Sequence, residues 1–302
     1  MDADLDTLAT ALYVTTDDLL KSRPELAPWR PVVGMKPQVS DAEMVTLAVM
    51  APMLGGGSEA RWVRYARGHL RHLFPYLPAQ SGYNKRLRRL GGLLDAVLRH
   101  LAAATSVFTD DVLVVDSTPV ECARSRETVK RSDLAGWAEY GYCASHSRYF
   151  WGLRLHLVAT VHGLPIAYAL TGAKADERSV LVELIDTTPA LAGGPRTVIA
   201  DKNYYGRGFE STLAATGFTL LRKARVGETP RPAARLLKPL RQTVESVFDT
   251  LKGQLDLERH GGRTPAGVVV RVLQRLLSMT VAIWHNDRTG QPIRRSLIAY
   301  DH

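Results

Sequence analysis

The chain has 302 residues, 45% of them hydrophobic, enough for one large domain or two ordinary ones with real cores, so disorder is excluded as the default reading. Lys and Arg number 39 against 30 Asp and Glu, a formal charge of +9, which favours a polyanionic partner, and nucleic acid is the commonest. Two cysteines without C-x-x-C spacing, Cys122 and Cys143, exclude a disulfide framework and a zinc ribbon; with no signal-like start and no run of about 18 apolar residues, the expectation is a cytoplasmic protein with no membrane partner.

Helical periodicity runs to about Ser106, and from Asp110 onward short apolar runs alternate with helical patterns, so a boundary is predicted near residue 105. The division expected is an all-α, helix-turn-helix-like domain over 1–105 and an α/β domain over 106–302. Ser40 and Glu43 have capping-box spacing and open a helix to about Leu54, stopped by Gly55, Gly56 and Gly57. From about Ser58 to Phe74 a second helix follows. At about 100° per residue its Arg61, Arg64, Arg67 and Arg71 fall on one side, with Trp62, Val63, Ala66 and Leu70 roughly opposite. A third, from about Ser81 to Ala104, begins with Lys85, Arg86, Arg88 and Arg89 and becomes Leu-rich. These cations suit DNA phosphates and a major groove, the reading the whole-chain charge favours; the alternative is the solvated face of a plain helical bundle.

In the second part, Val112 to Val115, Trp151 to Thr160 and Leu164 to Thr171 read as a strand followed by a hairpin. A helix to about Thr188, a strand Thr197 to Ala200, a helix Gly208 to Thr216, a strand Phe218 to Lys223 and a long helix from about Arg235 to Glu258 follow. The order β-β-β-α-β-α-β-α predicts a mixed sheet flanked by helices, the order expected of a ribonuclease-H-like fold. The last pattern, Ala266 to His285, is apolar nearly all round and suits a core helix or a dimer seam.

Two short apolar strands end in Asp116 and Asp201, and a carboxylate beside buried strand residues is costly unless a cation compensates it. If the strands are neighbours, both acids project from one end of the sheet. Glu245 is the candidate third acid, on one helical stripe with Arg241 and Lys252; an ion pair with Arg241 is its alternative role, and Asp249 is the reserve carboxylate. Three carboxylates favour Mg²⁺ or Mn²⁺, two ions about 4 Å apart serving in-line displacement at phosphorus. Arg241 and Lys252 are placed to steady phosphate oxygens. Asp110, Asp111 and Asp176 read as caps and turn formers.

His156 on its strand reads as structural or as support to the site. Lys202 and Asn203, after Asp201, suit DNA backbone or a helix cap. Between Arg124 and Tyr149, Arg126, Lys130, Arg131, Trp137 and Tyr140 interleave cations with rings, as in a DNA-binding loop or an ordinary packed one.

Together, Asp116 in Val-Val-Asp-Ser-Thr-Pro, Gly152 to Ala173 with His156 and Gly163-Leu164-Pro165, Asp201 in Ala-Asp-Lys-Asn-Tyr, the Arg241, Glu245, Lys252 group and Gln80-Ser81-Gly82-Tyr83-Asn84 carry a resemblance. The chain resembles bacterial insertion-sequence transposases of the DDE type, most of all the insertion sequence 982 family. The related pattern has Tyr three residues before the Arg, where this sequence has Lys238. The resemblance implies that Asp116, Asp201 and Glu245 hold two Mg²⁺ ions. It also implies an enzyme that binds the terminal inverted repeats of its element, frees 3′ hydroxyls and joins them to target DNA, as a homodimer on double-stranded DNA. A nuclease without strand transfer and an inactive DNA-binding repressor are the alternatives.

Overall fold

A computed structural model describes residues 4–31, 33–143, 147–229, 231, 242, 245–294 and 296–300. The chain divides into two units, Met1–Thr105 with Leu251–His302, and Ser106–Thr250. The first break lies where the periodicity changes. The C-terminal residues, expected to complete the α/β domain, belong to the helical unit instead.

In the helical unit, α1 (Leu5–Ser22), α2 (Asp41–Met53), α3 (Glu59–His69), α4 (Gln80–Leu87) and α5 (Gly91–Ala103) precede the long C-terminal helix. The predicted capping box at Ser40 and Glu43 is present, and the glycine stop has a steric cause. Gly56 donates its N–H to Ala51 O at 2.7 Å, and a Cβ there would lie 2.6 Å from that oxygen. The single helix predicted from about Ser81 to Ala104 is two helices broken at Arg88 to Leu90. Gly91 and Gly92 would each cost about 1 kcal/mol in a helix interior, so the chain breaks and restarts there.

The C-terminal helix, here α9 (Pro265–Thr289), is buried along most of its length against α2 and α5. Pro52 lacks the N–H that would satisfy Ala48 O four residues back. Gln274 Nε2 donates to that carbonyl at 3.0 Å, and Ser278 Oγ donates to Val49 O at 2.9 Å. A break in one helix thus becomes the fastening point of another. By length and composition α9 is apolar enough to cross a membrane, which the sequence reading did not anticipate, but 83% of its most apolar window is buried, as in a core helix.

Through its last strand the sheet unit follows the predicted order with two additions; the long helix expected from about Arg235 to Glu258 lies largely outside the described residues. Its strands are β1 (Val112–Ala123), β2 (Glu139–Cys143), β3 (Arg148–Thr160), β4 (Pro165–Gly172), β5 (Arg196–Ile199) and β6 (Phe218–Leu221). The short helix α6 (Arg126–Lys130) precedes β2, α7 (Glu177–Thr187) follows β4, and α8 (Arg207–Ala215) joins β5 to β6. The sheet runs β2-β3-β1-β5-β6, antiparallel at β2-β3 and β3-β1 and parallel at β1-β5 and β5-β6. Along its other edge β3 pairs first with β2 and then with β4, the change falling between Gly152 and Leu153. At that crowded junction β1 bulges between Glu121 and Ala123, and a Cβ on Gly152 would lie 2.2 Å from Val120 O.

Candidate active site

The two aspartates belong to neighbouring strands, Asp116 within β1 and Asp201 just past the end of β5. Parallel pairing of β1 with β5 matches Val112 with Thr197, Leu113 with Val198 and Val114 with Ile199. Asp116 lies two residues beyond Val114 on β1, and Asp201 two residues beyond Ile199, just past the end of β5. Asp116 is not at a strand end, as the sequence suggested, since β1 continues to Ala123. The strand that ends is β5: Ala200 N–H still donates to Leu221 O of β6 at 3.0 Å, and the chain then turns, Tyr204 N–H donating to Asp201 O at 3.1 Å. Both carboxylates accept the next backbone N–H, Asp116 from Ser117 at 2.8 Å and Asp201 from Lys202 at 2.6 Å. Both are half-buried.

Tyr204 is fully buried, and its hydroxyl makes no hydrogen bond among the described residues. Burial pushes its pKa well up, and the charges of Glu177, Asp116 and Asp201 push the same way, against Arg154. Three carboxylates therefore act on one hydroxyl. Glu177, at the start of α7, accepts from Arg154 Nη1 at 2.8 Å and from Ser117 Oγ, and Arg154 Nη1 also donates to Ser117 Oγ at 2.9 Å. This group braces the strand residue next to Asp116 against α7.

Residues 108–281 match the family model described as the transposase DDE domain. The chain belongs to that family. No curated protein matches it. Among solved structures, a cryo-EM structure of a piggyBac transposase synaptic complex with hairpin DNA is similar at 10% identity and a TM-score of 0.47, over 99% of this chain and 76% of that one.

The remaining predicted residues of this transposase are distributed unevenly. Glu245 and Asp249 lie exposed on helical residues 245–249, whose Val247 is buried beside the Gly163 turn between β3 and β4. Among the described residues no three His, Cys, Asp or Glu side chains are close enough to hold a metal ion. Arg241 and Lys238 lie outside the described residues. Lys252 falls in a π turn, Thr250–Gln254, to which the 100° stripe rule does not apply.

Lys202 and Asn203 are exposed, and Asn203 Nδ2 lies 3.3 Å from Asp201 Oδ2. His156 is 1% exposed and shares a hydrogen bond of 2.9 Å with Thr171 Oγ1. Burial, and secondarily Arg154, lowers its pKa to about 4, so it is a neutral interior side chain and not a phosphate contact. In the predicted DNA-binding loop Arg126, Lys130, Arg131 and Tyr140 are exposed and Trp137 is half-buried, but part of that segment is the edge strand β2. Asp176 caps α7 as expected, and Asp110 bonds His162 at 2.9 Å.

On the helical unit Arg61, Arg64, Arg67, Arg71, Lys85, Arg88 and Arg89 are exposed, with Trp62, Val63, Ala66 and Leu70 buried opposite. Arg86 is the exception. Its guanidinium bonds Val39 O, Ser40 O at 3.1 Å and Asp41 Oδ1 at 2.8 Å, which commits it to holding the start of α2. Sequence reasoning missed Glu177, Arg154 and Ser117. A strand Arg two residues from a strand His, facing no sequence-local acid, was the available signal.

Proposed function

We propose that this transposase binds the ends of its own element as double-stranded DNA, hydrolyses phosphodiester bonds to free 3′ hydroxyls, and joins them to target DNA. The observation that carries the reading is that Asp116 on β1 and Asp201 just past the neighbouring parallel strand β5 both act on the buried Tyr204 hydroxyl. The strand order supports a ribonuclease-H-like core. The donor chemistry of two half-buried aspartates fits a hard divalent ion, Mg²⁺ or Mn²⁺, with Glu245 as the proposed third carboxylate and Asp249 as its alternative. When bound, such ions activate the attacking oxygen and stabilise the leaving one.

The chain's own residues do the positioning. Backbone N–H groups of Ser117 and Lys202 hold one oxygen of each aspartate, which orients the other. The exposed Lys202 and Asn203 meet phosphate beside Asp201, and the Arg-lined face of α3 tracks the duplex backbone. Two element ends must be brought together, so the working form is a homodimer on DNA.

The test uses duplexes carrying the DNA that flanks the gene. Incubated with protein and Mg²⁺, they should yield both cleaved ends and strand-transfer products. Hydrolysis without joining would replace this reading with that of a nuclease, and DNA binding without cleavage with that of a repressor.

A further inference from the structure

The motif Gln80-Ser81-Gly82-Tyr83-Asn84 has no place in the chemistry above, and the structure gives it one. It opens α4 and lines, with Gln80, Tyr83 and Asn84, a cleft of about 470 Å³ wholly within the helical unit. Arg263, Arg271 and Arg275 line the same cleft, against one acid, Glu59.

That acid is already engaged. Arg271 Nη2 donates to its Oε1, and Asn84 Nδ2 donates to its Oε2 at 2.5 Å. Arg275 is 6% exposed, and its donors meet only backbone carbonyls, Arg271 O at 2.9 Å and Asp256 O at 3.0 Å. Its Nε has no hydrogen-bond partner among the described residues. Burial lowers its pKa to about 10, which still leaves it charged at neutral pH. The charge of Asp256 offsets part of that burial, with no ion pair to Arg275 among the described residues, and an anion entering the cleft would offset more. Arg263 is exposed at the cleft and makes no hydrogen bond or ion pair among the described residues.

The backbone contributes as well. Ser58, which caps α3 without a side-chain bond, forms part of the wall, so the positive end of a helix borders the cavity, while the Gly56 and Gly57 amides beside it are already bonded to Ala51 O and Gly55 O.

We propose that this cleft is a phosphate site of the helical unit, in which Arg263, Arg271 and Arg275 receive a backbone phosphate of a DNA strand while Gln80 faces its sugar or base. The proposal rests on DNA being the partner, and it assigns a contact away from the sheet unit's aspartates.

Two readings of full-length protein test it separately. Inorganic phosphate should raise the melting temperature more than chloride at equal ionic strength, and it should displace a short labelled single-stranded oligonucleotide. Arg263→Ala, at an exposed position, should weaken the oligonucleotide about tenfold, the cost of one charge-assisted hydrogen bond, and remove the phosphate effect. Arg275→Met should do the same where circular dichroism confirms folding. An unchanged phosphate effect in Arg263→Ala overturns the site. A phosphate effect that depends on Arg263, in a protein that binds no oligonucleotide, instead overturns the DNA reading beneath it.

Discussion

At the level of single residues, the buried hydroxyl of Tyr204 is the most informative atom near the aspartates. It has no hydrogen-bond partner among the described residues, and leaving a buried hydroxyl unsatisfied costs about 1–3 kcal/mol. Tyr204→Phe should therefore leave the melting temperature unchanged or raise it. A fall of several degrees would mean that the hydroxyl is bonded in solution, with Glu177, Asp116 and Asp201 the acceptors to examine.

His156 gives a pH signature of its own. Its folded pKa of about 4 lies below the value near 6.5 of an unfolded histidine. Between those values the unfolded chain binds the extra proton. Stability is thus fully present above about pH 6.5 and is lost as pH falls toward 4, by on the order of 3 kcal/mol over the window. Denaturant unfolding at several pH values should show a shallower acid slope in His156→Gln than in the wild type. Equal slopes would contradict the burial.

Among the elements, β3 bears the most constraint, because it serves β1 on one edge and both β2 and β4 on the other. Gly152 sits where those pairings change, and Gly152→Ala drives a methyl into Val120 O. That variant should lose several kcal/mol or fail to fold; a soluble variant with native stability would contradict the pairing. The strand order was legible in the sequence because short apolar runs and helical periods differ in repeat. β2 was not, since Glu139, Tyr140, Gly141 and Tyr142 give an edge strand little apolar signal. Nor was the break before α5, where only the glycine pair marks it. The aspartates were legible through their apolar neighbours, whereas the Ser117, Arg154 and Glu177 group depends on contacts between distant segments. For Glu245 the stripe argument fixed a helical face, but a face does not set distance to the sheet.

For the molecule as a whole, the surplus of positive charge has an address on the helical unit, and its cations separate into two kinds. Arg61 and Arg64 are exposed and make no side-chain bond among the described residues, whereas Arg86 ties α4 to the start of α2. Arg61→Ala and Arg64→Ala should each weaken DNA binding and reduce the slope of log affinity against log salt by about 1, with stability unchanged. Arg86→Ala should lower stability instead. A salt slope unmoved by the first pair would assign their face to solvent.

The placement of Leu251–His302 bears on activity too. Those residues supply α9, which fills the core between α2 and α5, so the chain leaves the sheet unit after Thr250 to finish the helical one. The family match, 108–281, covers the sheet unit from residue 108 and continues into the helical unit through part of α9, leaving residues 1–107 outside it.

The central claim is that Asp116 and Asp201 act together on DNA. It is tested most directly by Mg²⁺-dependent cleavage and joining of element-end duplexes by Asp116→Asn, Asp201→Asn and the double variant. The account predicts that each single variant loses cleavage by about a hundredfold or more while keeping duplex affinity, and that the double variant is no worse than either, as for residues that act as one unit. Cleavage that persists in either single variant would contradict it.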